Sequence, residues 1–173
     1  MNGSVPLEIE RKFLIRRPDE ELLRRESVRR IDMTQSYLTP GPEGETRRLR
    51  HSRQADGEAW YFTEKKRITA LTRVEREREV TREEYEALRA QLDPGRRVIE
   101  KTRWCVPYEG HTLEIDVFPF WDDRAFCEAE LESEDEELRL PDWLHVVREV
   151  SDDPRYTNSA LAREIPMDIL PEM

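Results

Sequence analysis

Charged side chains in this chain recur as same-sign pairs spaced two residues apart. The pairs are Arg48/Arg50, Lys101/Arg103, Glu8/Glu10, Glu114/Asp116 and Glu128/Glu130. Arginine forks and lysine ammonium groups bind phosphate oxygens. Carboxylates hold Mg²⁺ or Mn²⁺, hard ions that prefer oxygen ligands. Because like charges do not neutralise each other, the pairs suit a ligand that brings both signs, such as a polyphosphate with a divalent metal.

A spacing of two residues places both members of a pair on one face of a β-strand. In the predicted strand over residues 7–15, Glu8, Glu10 and Lys12 alternate with apolar residues. Similar strands are predicted over residues 28–39, 46–53, 59–67, 73–81, 97–108, 111–118, 126–132 and 146–150. Short helices are predicted over residues 18–25, after a capping box at Thr81 and Glu84, and near residues 159–164.

The charged faces of these strands can be arranged in two ways. An open antiparallel sheet would leave the charges in water, laced with weak ion pairs. A closed barrel would put the charges in its lumen and the apolar residues outside, partly covered by helices. Charges crowded in a narrow lumen are costly unless they are paired or bind a ligand. The residue pattern alone leaves both arrangements open.

Composition narrows the class of protein. The 173 residues carry 39 acidic and 29 basic side chains, for a net charge of −10. Such a charge argues against binding to nucleic acid or to an anionic membrane. No apolar run approaches a membrane-spanning length, and no signal pattern opens the chain. We therefore expect a cytoplasmic protein with a single domain over residues 1–173.

An ordered series of motifs carries a family resemblance. The series is Glu8-Ile9-Glu10-Arg11-Lys12, Gln35-Ser36-Tyr37-Leu38, Arg48-Leu49-Arg50, Thr63-Glu64-Lys65, Arg73-Val74-Glu75-Arg76-Glu77, Glu100-Lys101-Thr102-Arg103, Leu113-Glu114-Ile115-Asp116-Val117-Phe118, Glu128-Ala129-Glu130, Pro141-Asp142-Trp143-Leu144, Glu149-Val150 and Asp152-Asp153-Pro154-Arg155-Tyr156-Thr157-Asn158. The first motif matches the ExExK signature of the CYTH superfamily, the triphosphate tunnel metalloenzymes. The start of the chain resembles the small bacterial members, and the series spans nearly the whole chain.

The resemblance implies an α+β, mainly β fold: a closed eight-stranded antiparallel barrel, or tunnel, with a few short helices outside and at the C-terminus, often in a homodimer. It implies that the metal ligands are Glu8, Glu10 and Glu130, with Asp116, Glu128, Glu75 and Glu77 as additions. It implies a phosphate cradle of Lys12, Arg48, Arg50, Lys65, Arg73, Lys101 and Arg103, with Arg155 closing the mouth. Lys12, Tyr37 and Lys65 are the predicted catalytic residues. Because Lys66 adjoins Lys65, which of the two points inward stays open.

The expected activity is Mg²⁺- or Mn²⁺-dependent hydrolysis of the terminal phosphoanhydride of a triphosphate, with inorganic tripolyphosphate as the leading substrate. Three alternatives remain: a class IV-type adenylate cyclase, a thiamine or nucleoside triphosphatase, and a non-catalytic polyphosphate-binding module. The chain departs from the family pattern at Pro119-Phe120-Trp121 and at Leu144-His145. These departures affect the shape of loops and the recognition of the substrate's end more than the phosphate site.

Overall fold

The structure of the protein is a computed structural model that describes residues 7–172. This part of the chain contains β1 (Leu7–Arg16), α1 (Glu20–Glu26), β2 (Arg29–Tyr37), β3 (Thr46–Gln54), β4 (Gly57–Arg67), β5 (Thr72–Val80), α2 (Arg82–Leu88), β6 (Ile99–Tyr108), β7 (His111–Val117), β8 (Arg124–Glu130), β9 (Val146–Glu149) and α3 (Asn158–Leu161). Single 3₁₀ turns lie at Arg89–Gln91 and Pro154–Tyr156. None of the helices in residues 7–172 combines the length and hydropathy that a membrane span requires.

The strands close into an antiparallel barrel in the order β5-β4-β3-β2-β6-β7-β8-β1, and β5 pairs again with β1. Strand β1 makes this closure possible because one of its edges pairs with two different strands in succession. Leu7 and Ile9 pair with β5, whereas Phe13 and Ile15 pair with β9 further along the same edge. The other edge of β1 pairs with β8 over its whole length from Glu10. The predicted eight-stranded barrel is confirmed, and β9 adds a ninth strand beside the closure.

The helices begin where their capping residues predict. Asp19 accepts a hydrogen bond from the amide of Glu21 at the start of α1. Thr81 and Glu84 form the predicted capping box of α2, which satisfies two backbone N–H groups that would otherwise have no partner. The last helix is shorter than predicted and ends at Leu161. The chain soon reaches Pro166, whose ring disfavours helical backbone in the residue before it.

Apolar residues cover most of the outside of the barrel. Leu23 of α1 packs against Phe13, Trp104 and Ile115 of the barrel wall. On the opposite side, Tyr85 of α2 and its neighbours cover the wall formed by β3 and β4. Burying these side chains removes apolar surface from water, which contributes about 25 cal/mol per Å². The barrel is thus held from outside, and its inner face is left for polar groups.

One end of the interior departs from the ionic pattern. Leu14, Phe118 and Phe126 share the inward parity of the charged residues but pack together in an apolar cluster with Trp121 and Tyr156. Trp121 is 1% exposed, and its indole N–H donates to the carbonyl of Pro166 at 2.9 Å. The predicted departure at Pro119-Phe120-Trp121 therefore belongs to the packing of this end. The charged part of the lumen lies on the far side of the cluster.

Candidate active site

The barrel encloses a cavity of about 360 Å³ lined by side chains of both charges. Residues predicted for the site that line it are Glu8, Glu10, Lys12, Tyr37, Arg48, Arg50, Lys65, Arg73, Glu75, Glu77, Arg103, Glu128 and Glu130. The exceptions are Lys101, Asp116 and Arg155. Each of the eight barrel strands contributes through the inward half of its alternation, as expected for a closed barrel. The open-sheet arrangement with solvated charges is therefore wrong.

Carboxylates gather where β1 meets β5 and β8. Glu10 lies opposite Glu130 in the β1–β8 register, and it forms an ion pair with Arg73 of β5. Burial raises the pKa of Glu8 to about 8, aided by its hydrogen bond with Glu75 and by the negative charges of Glu75 and Glu130. Burial is the largest cause of this shift, so Glu8 lies in a partly desolvated site beside other carboxylates.

The acidic group fits a divalent cation in its chemistry. Within residues 7–172, no three His, Cys, Asp or Glu side chains lie close enough together to form a metal site as they stand. The donors are nevertheless all carboxylate oxygens, which suit Mg²⁺ or Mn²⁺. A cation would also favour the charged form of Glu8, against the effect of burial. The donor atoms therefore suit such an ion in their chemistry, and Glu8, Glu10 and Glu130 remain its predicted ligands.

Basic side chains from β3 and β4 line the same cavity beside these carboxylates. Arg48 Nη2 lies 3.7 Å from Glu77 and 4.0 Å from Glu75. Lys65 Nζ lies 3.1 Å from Glu75. Burial lowers the pKa of Lys65 to about 8, and the nearby charge of Arg48 acts in the same direction. Lys65 is therefore a buried cation whose charge is less than fully compensated, as expected in an anion-binding site.

The structure settles which of two adjacent lysines faces inward. Lys65 lines the cavity, whereas Lys66 is 54% exposed and lies 3.7 Å from Glu43 on the outer surface. The strand alternation requires this difference, because successive side chains of β4 point to opposite faces. Lys12 also lines the cavity, with Nζ 3.4 Å from Glu128 and 4.0 Å from the centre of the Phe126 ring.

Tyr37 lies at the end of β2, where the polar wall meets the apolar cluster. It is 3% exposed, and it lines the cavity. Burial raises the pKa of Tyr37 above its ordinary value, although Arg48 and Arg50 oppose the shift. The phenol therefore keeps its proton at neutral pH and can donate a hydrogen bond.

Two predicted residues lie behind the cavity wall in a buried ion-pair network. Lys101 Nζ donates to Asp116 at 2.6 Å, and Arg103 donates two bonds to the same carboxylate at 2.8 and 3.0 Å. The Lys101 and Asp116 side chains are both 0% exposed. Arg103 also donates to Glu114 at 3.0 Å and reaches the cavity. Both oxygens of Asp116 are thus occupied, and its assignment as a metal ligand stays a prediction.

Arg155 lies outside the cavity. It is half exposed, and its guanidinium is 3.7 Å from Asp153 and 3.4 Å from Asp168. The following residues, 156–159, line the cavity instead. Thr157 caps α3 by accepting from the amide of Ala160, which orients this segment at the mouth. Threonine is a preferred N-cap residue, so the position of Thr157 before the predicted last helix was a signal that could have placed this segment at the cavity mouth.

The residues that were not predicted as functional include two neutral polar side chains of the interior. Thr63 Oγ1 donates to Glu77 at 3.1 Å and accepts from Arg48 at 3.4 Å. Gln35 accepts two hydrogen bonds from Arg50, at 2.8 and 3.1 Å. In the alternation along their strands, both side chains point to the inner face of the barrel. This position is the one signal in the sequence that could have identified them. A pattern of charges alone does not single out neutral side chains.

Comparison with known proteins agrees with this architecture. No family model matches the chain. The inorganic triphosphatase of Acetivibrio thermocellus is 37% identical over 105 residues, which cover 60% of this chain and 65% of that protein. The inorganic triphosphatase of Nitrosomonas europaea is 36% identical over 165 residues, which cover 92% of this chain and 99% of that protein.

A solved structure extends the similarity to the fold. The crystal structure of the inorganic triphosphatase NE1496 matches with a TM-score of 0.58 and 32% identity, covering 92% of this chain and 96% of that one. The similarity spans the strands that line the cavity, with an identity high enough to indicate common descent. The chain therefore belongs to the inorganic triphosphatase family, within the CYTH superfamily of triphosphate tunnel metalloenzymes.

Proposed function

We propose that this chain hydrolyses the terminal phosphoanhydride of inorganic tripolyphosphate with the help of Mg²⁺ or Mn²⁺. One observation carries the proposal: a single cavity is lined by basic side chains together with carboxylates from β1, β5 and β8. A linear triphosphate with a divalent cation supplies the opposite charge to both. The named activity of the relatives supports the same substrate.

In this proposal, the basic side chains bind and orient the phosphates. Arg48, Arg50 and Arg103 supply planar donors that match phosphate oxygens, while Lys12, Lys65 and Arg73 add charge along the cavity. Phosphoryl transfer needs little covalent help from a protein, so positioning and electrostatic stabilisation supply most of the rate. Lys101, behind the wall, would act through Arg103, and Arg155 would act from the mouth.

The carboxylates are proposed to hold the metal. Glu8, Glu10 and Glu130 would be its main ligands, with Asp116, Glu128, Glu75 and Glu77 as the further predicted ligands. The chemistry that a bound Mg²⁺ or Mn²⁺ supplies is neutralisation of charge on phosphate oxygens and a lower pKa for water. Lys65 Nζ, with a pKa of about 8, can hold or release a proton near neutral pH. The Tyr37 hydroxyl is placed to donate a hydrogen bond at the inner end of the cavity.

A substrate panel tests the proposal. Purified protein is assayed with Mg²⁺ and with Mn²⁺ against tripolyphosphate, pyrophosphate, ATP and thiamine triphosphate. We expect phosphate release from tripolyphosphate in preference to the others, and none in the presence of a chelator. Cyclic AMP and pyrophosphate from ATP would indicate a cyclase instead. Triphosphate binding with no turnover under any metal would indicate a binding module and contradict the proposal.

Replacing each of the two adjacent lysines separately by alanine gives a matched pair of variants. Lys65→Ala should raise the KM for tripolyphosphate about tenfold, because a charge-assisted contact of about 1.5 kcal/mol is lost. Lys66→Ala removes the same charge from the outer surface and should leave KM within about twofold. Steady-state kinetics with both variants checks this difference. Equal effects would show that Lys65 does not contact the substrate.

The family resemblance also leads us to expect a homodimer. Light scattering of the purified protein checks the assembly, because a homodimer has twice the mass of the 20.7 kDa chain.

A further inference from the structure

Arg50 differs from the other predicted residues of the phosphate cradle in the kind of side chain that contacts its charged group. Each of the others lies within 4.0 Å of at least one carboxylate, as with Lys65 and Glu75. Arg50 has no carboxylate at that distance among residues 7–172. Its Nε and Nη2 atoms donate instead to the side-chain oxygen of Gln35, at 3.1 and 2.8 Å. A neutral group therefore fixes this guanidinium without cancelling its charge.

The surroundings of Arg50 leave its charge exposed to the cavity. Arg50 lines the cavity, and Arg48 and Arg103 are near enough to repel it. Burial lowers the pKa of Arg50 to about 9, and the two neighbouring arginines act in the same direction. The carboxylates of Glu77 and Asp116 oppose this shift, and neither lies within 4.0 Å of Arg50. Among residues 7–172, the positive charge of Arg50 therefore has no ion-pair partner in the cavity wall.

Holding Arg50 in this way makes Gln35 a source of instability. The residue is 0% exposed, and its Nε2 atom is buried with no hydrogen-bond partner in the described residues. An unsatisfied buried donor is destabilising, and native proteins rarely keep one without a reason. A glutamate has nearly the same shape, would pair with Arg50 and would have no unsatisfied N–H group. The amide is thus the less stable choice, but it leaves the net charge of the Gln35–Arg50 pair positive.

Resting on the proposed function, we propose that Gln35 is a positioning residue for triphosphate binding. Its neutral oxygen orients Arg50 toward the cavity and leaves the full positive charge for a phosphate group. Gln35 itself acts through Arg50, because it lies opposite Arg50 in the β2–β3 register and is not among the residues that line the cavity.

Gln35→Glu separates this role from a structural one. The new carboxylate would neutralise Arg50 and add negative charge beside the bound polyanion. We expect the KM for tripolyphosphate with Mg²⁺, and its calorimetric Kd in the presence of a chelator, to rise about tenfold or more. We expect the melting temperature to stay at or above that of the wild type, because a buried ion pair replaces an unsatisfied donor. A purely structural role would move stability and leave Kd unchanged.

The chain supplies a matched control on its outer surface. Arg47 donates to Gln91 Oε1 at 2.8 Å in an exposed pair of the same kind. Gln91→Glu makes the same chemical change beside an arginine and should leave KM, Kd and kcat unchanged. Gln35→Met removes the acceptor without adding charge and should raise KM by only about threefold. An equal or larger effect of the methionine variant would overturn the role assigned to charge.

Each result bears on one proposal or on both. Wild-type-like affinity in a folded Gln35→Glu protein would overturn the role of Gln35 while leaving the proposed function standing. A lower melting temperature of that variant would also overturn it. If the wild type binds tripolyphosphate but does not hydrolyse it, the proposed function fails and the Kd comparison still decides the role of Gln35. A wild type that neither binds nor hydrolyses tripolyphosphate would overturn both.

Discussion

Asp116→Asn is expected to lower the free energy of unfolding by about 3 kcal/mol, more than any other single amide substitution in the cavity region. The Asp116 carboxylate is 0% exposed and accepts from both Lys101 and Arg103. These cations hold the pKa of Asp116 well below its usual range, against the effect of burial. Removing one partner of a buried ion pair leaves an uncompensated charge, which costs about 3–5 kcal/mol. Arg103 keeps its bond to Glu114, so we expect the lower end of that range.

Chemical denaturation measures this effect directly. Asp122→Asn is the matched control, because Asp122 is exposed in a loop and the same change there should stay within about 0.5 kcal/mol. If Asp116 is instead mainly a metal ligand, its substitution would remove repulsion between carboxylates and weaken metal binding. Unchanged or greater stability with a lower metal affinity would therefore contradict its role as the counter-ion of Lys101 and Arg103.

Glu10→Gln is expected to reduce turnover of tripolyphosphate about a hundredfold or more while changing stability by about 1 kcal/mol or less. Glu10 lines the cavity between Glu130 of β8 and Arg73 of β5. Changes at outer groups that support a metal already cost about 10–100-fold, so loss of a ligand should cost at least as much. The side chains of Glu10 and Arg73 are 13% and 19% exposed, so water can compensate part of the lost ion pair.

Kinetics over a range of Mg²⁺ and Mn²⁺ concentrations checks this prediction. We expect the metal concentration at half-maximal rate to rise, with kcat also reduced. Glu64→Gln makes the same change on β4 but outside the cavity, and it should retain wild-type activity. A Glu10→Gln variant that keeps full activity would remove Glu10 from the proposed metal ligands. Loss of activity together with the fold would instead make Glu10 a structural residue.

Together these two variants contrast a pair of carboxylates that the sequence treats alike. Both Asp116 and Glu10 lie on the ionic face of a strand, in same-sign pairs of equal spacing. The structure gives one of them two buried cations and gives the other a place at the cavity surface. The expected losses therefore differ in kind: stability for Asp116 and turnover for Glu10.

Alternation along the chain determined the strands and the face on which each charge lies, and the family resemblance implied that the sheet closes. Because side chains of a strand alternate between its two faces, the spacing of Glu8, Glu10 and Lys12 is enough to give their side chains a common direction. Segregation of the two signs among strands then indicated a ligand with both charges. The ordered motifs identified the family, and they also placed Lys65 in the site.

Only the tertiary structure decided the depth and the partner of each inward side chain. Alternation does not distinguish Lys12, in the cavity, from Leu14, in the apolar cluster one step further along β1. Nor does it show that Asp116 meets Arg103, or that Gln35 meets Arg50. These meetings depend on the register between strands and on the closure of β1 with β5. Both are set by packing between residues far apart in sequence, where no local pattern records them.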